Sequence, residues 1–234
     1  MFLKLLRMTS RMILRILADV EIVGLEHVPR TGGCVAVSNH IGRLDAVLAL
    51  ILPERDDIIM MIAEKYQAYA FWRFWAGRFD AIWLNRFEAD FHALREVVKR
   101  LKRGGILAIA PEGTRSQSGT LLEGRPGAAF LAAKAQVPVL PMAITGSEDS
   151  LVKARLKRLR RLKIKIIVGE PFMLPPIDRQ NKDAYFQAQT DEIMCRIAAL
   201  LPPSYHGVYR EHPRLQALTG RRPQGWPQQG LAGS

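Results

Sequence analysis

The run Cys34-Val35-Ala36-Val37 is apolar, partly β-branched and preceded by Gly32-Gly33, so it reads as a buried strand. It ends on Asn39-His40, and Ile41 to Leu52 continues as an apolar helix-like segment carrying Asp45. Residues five apart on an ideal helix differ by roughly 140° around its axis, so His40 and Asp45 would not face each other on one helix. They can meet only if His40 lies in the loop and Asp45 one turn into the helix, as the strand-then-helix pattern allows. In open α/β sheets the carboxyl ends of strands are where ligand sites form. A His there is suited to take a proton near neutral pH, with a carboxylate to fix its tautomer. Alone, the spacing is a short pattern that chance produces.

The chain of 234 residues holds one sizeable α/β domain, or one domain with a small appendage. Its net charge of +12 implies a polyanionic partner: nucleic acid, an anionic membrane surface or phosphorylated substrates. Cys34 and Cys195 are far apart, with no disulfide framework or zinc-ligand spacing, which fits a reducing compartment. No metal site is readable.

Lys4, Arg7, Arg11 and Arg15 interrupt any membrane-spanning run in the first twenty residues. On a helix these four fall within an arc of roughly 80°, leaving Phe2, Leu5, Leu6, Met12, Ile13, Ile16 and Leu17 mostly elsewhere. Residues 1–19 are therefore expected to form an amphipathic helix lying in a membrane interface, its basic side toward anionic headgroups. The other reading is a surface helix packed on its own domain.

Strands are predicted over Val20–Glu26, Ile58–Ile62, Ala81–Leu84, Ile106–Ala110 and Val137–Ile144. Helices are predicted over Asp90–Arg103, with Asp90 as cap and Gly104-Gly105 as stop, over Arg125–Ala135 and over Asp178–Leu201. This alternation indicates a layered α/β fold with a mostly parallel or mixed central sheet flanked by helices. Tyr66 to Trp75 holds six aromatics in ten residues, which suit an acyl-chain tunnel, a bilayer interface or a core helix. Eight Lys and Arg fall between Lys153 and Lys165 with leucines interleaved, a second candidate for membrane docking beside the N-terminal helix. Lys163–Val168 alternates at first, as a strand near a sheet edge would. Residues 20–201 are taken as the folded domain, with its motif-bearing core about 34–146, and 202–234 as a poorly ordered tail.

Three strand ends carry polar groups: Asn39-His40 with Asp45, Arg86, and Pro111-Glu112-Gly113-Thr114-Arg115-Ser116. A base, its orienting carboxylate and two arginines suit attack of a hydroxyl on an acyl carbon in a substrate bearing phosphate. His40 takes the hydroxyl proton, Asp45 holds the imidazole, and Arg86 and Arg115 grip phosphate oxygens bidentately. Gly113 lets backbone approach a ligand, and nearby N–H groups could serve phosphate or an oxyanion.

Asn39-His40-x4-Asp45, Asn85-Arg86, Pro111 to Ser116 and Val137-Pro-Val-Leu-Pro141 match, in order and spacing, the four motif blocks of a known family. The pattern resembles the glycerolipid acyltransferases of the lysophosphatidic acid acyltransferase (PlsC-like) family, over roughly residues 20 to 170. The resemblance implies transfer of a fatty acyl group from an acyl-coenzyme A or acyl carrier protein thioester to the free hydroxyl of a lysophospholipid. The default acceptor is 1-acyl-glycerol 3-phosphate, giving phosphatidic acid; glycerol 3-phosphate or another lysolipid is the alternative. It implies His40 and Asp45 as the catalytic pair, supported by Asn39, and Arg86, Glu112, Gly113, Thr114 and Arg115 at the acceptor phosphate. No cofactor beyond the acyl donor is implied, and the location implied is peripheral, on the cytoplasmic face of a membrane. The chain departs from the family pattern at Gly42-Arg43, where a small polar residue is frequent, at Ala110 in place of an aromatic, and at Arg125 in place of Lys.

Two rival classes stand beside this. A serine hydrolase could use the same His and Asp, but no G-x-S-x-G elbow occurs. A basic, non-catalytic membrane-binding or nucleic-acid-binding protein would also fit the charge, although no specific nucleic-acid motif is present.

Overall fold

The computed structural model describes residues 2–51, 55–84 and 90–220. In chain order the elements are α1 (Phe2–Leu17), β1 (Ala18–Val23), β2 (Cys34–Ser38), α2 (Leu44–Ile51), β3 (Ile58–Ile59) and β4 (Met61–Ala63). There follow α3 (Ala70–Phe79), β5 (Ile82–Leu84), α4 (Phe91–Lys102), β6 (Ile106–Ile109), α5 (Gly127–Ala135) and β7 (Val139–Thr145). The chain closes with α6 (Asp149–Lys157), β8 (Leu162–Val168), α7 (Lys182–Leu200) and α8 (Pro213–Thr219).

The main sheet has the order β1-β8-β7-β2-β6-β3. Its pairs are parallel except β7 with β8, so the sheet is mixed, and β4 pairs with β5 in a separate parallel ribbon. β2 lies inside the sheet and is covered on both faces, which is why it reads as a continuous apolar run rather than an alternation. Val35 and Val37 join Val139 in a core with residues of α4, α5 and α7. Cys34 and Ala36 face the other way, into a core with Leu14 of α1, Leu48 of α2, Leu140 and Ile144. Helices thus cover both sides of the sheet, as the alternation of strand and helix patterns predicts. Helix α4 starts as expected: the Asp90 carboxylate accepts the Ala93 N–H at 2.9 Å, satisfying one orphan donor.

Three expectations are corrected. The apolar run Ile58–Ile62 is two strands in different sheets. The chain steps between them at Met60, whose carbonyl accepts the Ile82 N–H at 2.8 Å. β8 lies one strand in from the edge, beside β1, as its alternation suggests. Lys163 is exposed while Leu162 and Ile164 are buried, so the alternation reports one solvated face. On α1, Arg7 does not join the outward basic stripe. It is buried, with Nη1 donating to Asp56 Oδ1 at 2.9 Å and Nη2 to the Arg55 carbonyl, two acceptors that draw it inward. Met8, Met12, Ile13, Ile16 and Leu17 are left exposed beside Arg11 and Arg15.

The third correction concerns the tail. Residues 202–220 are folded: two single turns at Pro203–Tyr205 and Gly207–Tyr209 lead into α8. Tyr209 and Leu215 are buried, the Tyr209 hydroxyl accepts the Gly124 N–H at 2.9 Å, and Leu121 N–H bonds the Tyr205 carbonyl. Short turns have no 3.6-residue period, so this packing leaves no periodic trace in the sequence. Residues 221–234 lie outside the described residues. Among the described residues no helix is long and apolar enough to cross a membrane.

Candidate active site

β6, β2 and β7 are parallel neighbours, so their carboxyl ends lie side by side. Each end delivers polar residues to one place. His40 sits in the loop after β2 and Asp45 in the first turn of α2, the one arrangement in which their spacing lets them meet. His40 Nδ1 lies 2.9 Å from Asp45 Oδ2. The same oxygen accepts the N–H groups of Ile41 and Gly42 at 2.8 and 2.9 Å, while Oδ1 accepts the Ser147 hydroxyl at 2.6 Å. Because Asp45 only accepts, Nδ1 carries the proton and Nε2 is the basic nitrogen. No described group hydrogen-bonds Nε2, and the His40 side chain is partly exposed.

Asn39 is buried and clamps the loop to β7: its Nδ2 donates to the Ile144 carbonyl and its Oδ1 accepts the Ile144 N–H, both at 2.8 Å. From the other side, the turn after β6 grips the His40 backbone. Glu112 Oε1 accepts the His40 N–H at 2.9 Å, and Ser116 N–H donates to the His40 carbonyl at 2.7 Å. Glu112 Oε2 accepts the Leu122 N–H at 2.9 Å. Burial raises the Glu112 carboxyl above its ordinary value, against the lowering by these two N–H bonds. Both oxygens are therefore occupied, and Glu112 holds His40 rather than facing a phosphate; this corrects the expectation for it.

The remaining expected residues divide. Gly113 has φ +69°, and its N–H closes the turn on the Ala110 carbonyl at 3.0 Å, so this donor is not open to a ligand. A Cβ there would lie 3.0 Å from Arg125 Cδ, so the glycine lets the Arg125 stem lie across the turn. Thr114 is exposed. Arg115 Nη1 pairs with Asp149 Oδ2 at 2.7 Å, and the Arg43 N–H donates to Asp149 Oδ1 at 3.0 Å, so one carboxylate gathers two arginines at the rim. Arg125 has no carboxylate within reach among the described residues. Arg86 lies outside the described residues.

Ser147 is the residue that sequence reasoning missed. It is fully buried and follows β7 directly after Thr145-Gly146, at the third strand end. The available signal was a small hydroxyl residue in the turn beside the strand that carries His40. The same contact explains Gly42, since a Cβ there would meet the Ser147 carbonyl oxygen at 1.8 Å. The serines near the pair do not present a nucleophile to Nε2: Ser147 bonds Asp45, and Ser116 Oγ bonds Ser118 Oγ at 3.1 Å.

On the α2 face a narrow apolar cavity of about 40 Å³, open to solvent at its mouth, is lined by Ala36, Ser38, Ala49, Ala108, Leu140 and Met142. The alanines leave the space, and Ser38 stands two residues before His40. The aromatic cluster does not line this cavity. In α3 only Ala76 is buried, and Phe71 and Phe74 are exposed, which removes the core-helix reading. Among the described residues no three His, Cys, Asp or Glu side chains converge to hold a metal ion.

Comparison with known proteins gives the family. Residues 19–145, more than half of the chain, match the family model Acyltransferase. The chain is 29% identical over 175 residues to 1-acyl-sn-glycerol-3-phosphate acyltransferase alpha of Mus musculus, covering 69% of this chain and 56% of the mouse protein. It is 28% identical to the chloroplastic 1-acyl-sn-glycerol-3-phosphate acyltransferase BAT2 of Brassica napus, spanning 44% of that protein. The chain thus spans about half the length of these two relatives. It is 26% identical to the 1-acyl-sn-glycerol-3-phosphate acyltransferase of Bacillus subtilis over 81% of this chain and 92% of that one. The crystal structure of PlsC, the 1-acyl-sn-glycerophosphate acyltransferase of Thermotoga maritima, superposes with a TM-score of 0.60 at 23% identity, covering 80% of this chain and 76% of that one. The chain belongs to the acyltransferase family and shares the PlsC fold.

Proposed function

We propose that the protein transfers a fatty acyl group from a coenzyme A or carrier-protein thioester to the free hydroxyl of a lysophospholipid, with 1-acyl-glycerol 3-phosphate the leading acceptor. The observation that carries this is the His40–Asp45 pair at 2.9 Å, with Nε2 unoccupied at the site's open side. Nε2 takes the acceptor's hydroxyl proton as its oxygen attacks the thioester carbonyl. The C–O bond forms, the C–S bond breaks, and the leaving thiolate recovers the proton from the imidazolium. Asp45 steadies the imidazolium, and Glu112 and Asn39 hold the loop that aims it.

Arg115 and Arg125 flank the turn that grips His40, and they are the cations for the acceptor phosphate. A phosphate would take over the Arg115 guanidinium from Asp149, an exposed pair whose loss is small. The apolar cavity beside Ser38 suits an acyl chain. α1 serves as an interfacial helix through its exposed apolar side chains, and Phe71 and Phe74 of α3 offer further contact with a bilayer. The partners are then an anionic membrane surface, a lysophospholipid and an acyl-coenzyme A or acyl carrier protein, with no cofactor.

The test is thiol release from acyl-coenzyme A and from acyl carrier protein, with lysophosphatidic acid or glycerol 3-phosphate as acceptor, for wild type and His40→Ala. Acceptor-dependent release abolished by the substitution is expected. Release unaffected by His40→Ala would overturn the mechanism, and no release with a panel of lysolipids would overturn the activity.

A further inference from the structure

β8 runs antiparallel to β7, with Lys165 opposite Thr145, so its first residues extend past the end of β7. Gly146 sits against the Lys163 carbonyl there, one residue before Ser147. β1 pairs with β8 in parallel, Ala18 opposite Leu162, which brings the carboxyl end of α1 to the same end of the sheet. The loop between α6 and β8 and the last turn of α1 therefore both lie at the end of the sheet that carries His40 and Asp45. Arg161 ties them together, its Nη2 donating to the Arg15 carbonyl at 2.8 Å and to the Ala18 carbonyl at 2.6 Å.

The loop itself is held open in an unusual way. Leu159 N–H bonds the Leu156 carbonyl and Arg160 N–H bonds the Arg155 carbonyl, the two bonds of a Schellman helix stop. The residue that must take positive φ in this motif is usually glycine; here it is Leu159, at φ +51°. Its side chain is 97% exposed, more than any other large apolar side chain among the described residues. Lys157, Arg158 and Arg160 flank it in the chain, Lys153 lies one turn back on α6, and none of the four has a carboxylate within 4 Å among the described residues. A fully exposed leucine on a basic helix stop, on a loop tied through Arg161 to the end of α1 where Ile16 and Leu17 are exposed, has the chemistry of an interfacial anchor: apolar tips below, cations at headgroup level.

We infer that the α6–β8 loop is a second membrane anchor, Leu159 inserting into an anionic bilayer while Lys157, Arg158 and Arg160 bind lipid phosphates, so that with α1 it turns the catalytic end of the sheet toward the lipid. This rests on the reading of the His40–Asp45 pair as acting on a membrane-borne acceptor. An acidic carrier protein could answer the charge, but it gives no reason for a leucine at full exposure.

Cys34 and Cys195 are buried and their thiols are pushed up to about 12 by burial, so Leu159→Cys creates the one accessible attachment point for a polarity-sensitive fluorophore. The expected result is a blue shift with vesicles containing phosphatidylglycerol and none with phosphatidylcholine alone or with acyl carrier protein. Leu159→Ser should weaken sedimentation with the anionic vesicles roughly tenfold, and Arg158→Glu with Arg160→Glu should abolish it at physiological salt. Transfer to a water-soluble, short-chain lysophosphatidic acid should stay as in wild type for all of these. No shift at position 159 while a label at Met12→Cys does shift, or a shift with carrier protein in place of vesicles, would overturn the anchor. Vesicle binding as expected with no transfer to any acceptor would leave the anchor standing and overturn the proposed activity instead.

Discussion

Replacing Asp45 with Asn removes one charge while leaving a side chain of the same shape, and the contacts around it say which way the amide must turn. Asp45 Oδ2 accepts three N–H donors, from His40, Ile41 and Gly42, so the amide oxygen takes that place. The amide nitrogen then faces Ser147 Oγ, which can accept as readily as it donates. All four contacts survive, and Asp45→Asn should melt within a few degrees of wild type. The lost quantity is the attraction between the carboxylate and the imidazolium that forms when His40 takes a proton. With charge centres about 4 Å apart and an effective dielectric of about 20, that attraction is about 4 kcal/mol. Solvent at the partly exposed His40 trims it to roughly 3 kcal/mol, a loss of about a hundredfold or more in kcat with KM little changed.

Asp45→Ala separates the two roles of the side chain. It leaves four donors in a closed site without their acceptor, at about 1–3 kcal/mol for each one that stays unpaired. A chain of this size loses about 2–4 °C of Tm for each kcal/mol, so the alanine variant should melt about 10 °C or more below the asparagine one. Steady-state thiol release and thermal melts on the three proteins decide it. An Asp45→Asn enzyme retaining more than a tenth of wild-type kcat, or melting as low as Asp45→Ala, would refute the reasoning.

Three further substitutions probe the support around the pair. Ser147→Ala deprives Asp45 Oδ1 of its donor in a fully buried position and should lower Tm by about 3–10 °C, from about 1.5–3 kcal/mol of lost charge-assisted bonding. It should cut kcat about tenfold, since Oδ2 stays pinned; Ser147→Ala melting and turning over like wild type would show that the hydroxyl does nothing. Gly42→Ala drives a methyl into the Ser147 carbonyl, backbone against backbone, and should cost more than about 2 kcal/mol together with most of the activity. Glu112→Gln puts an NH2 against one of two backbone N–H groups and should destabilise by about 1–3 kcal/mol. Its pH dependence has a definite sign. A carboxyl whose folded pKa is raised contributes stability that is full below its unfolded value and declines as pH rises through the folded value. The gap in Tm between wild type and Glu112→Gln should therefore narrow as pH is raised from about 4.5, and a widening gap would refute the assignment.

The sequence makes His40 and Asp45 legible as a pair because both lie in one strand-to-helix connection, where local pattern decides geometry. Ser147 was hidden because its partner is 102 positions away and nothing in its own turn announces a buried carboxylate. Glu112 was legible as important but not in its role, since two backbone N–H groups, which no sequence pattern displays, decide what its oxygens do. The break at Met60 was invisible for a related reason. An apolar run looks the same whether it stays in one sheet or crosses to another. Arg7 joined a basic stripe by spacing alone, and only the Asp56 carboxylate and the Arg55 carbonyl reveal that it turns inward.

The sheet order explains why the pair can be held so closely by so few side chains. β2 lies between β7 and β6, so the loop carrying His40 has a supporting turn on each flank. From β7, Ile144 fixes Asn39 and Ser147 fixes Asp45; from the turn after β6, Glu112 and Ser116 fix the N–H and the carbonyl of His40 itself. The imidazole thus hangs from a backbone bonded on both sides, and its ring is bonded at Nδ1. Little freedom is left to lose when substrate arrives, the condition under which the proposed general base is most effective. The same order places the start of β8 beside Gly146, so a chain turning from α6 into β8 passes next to the turn whose Ser147 holds Asp45. The anchor inferred on that loop and the base proposed at His40 are, in this fold, neighbours by topology.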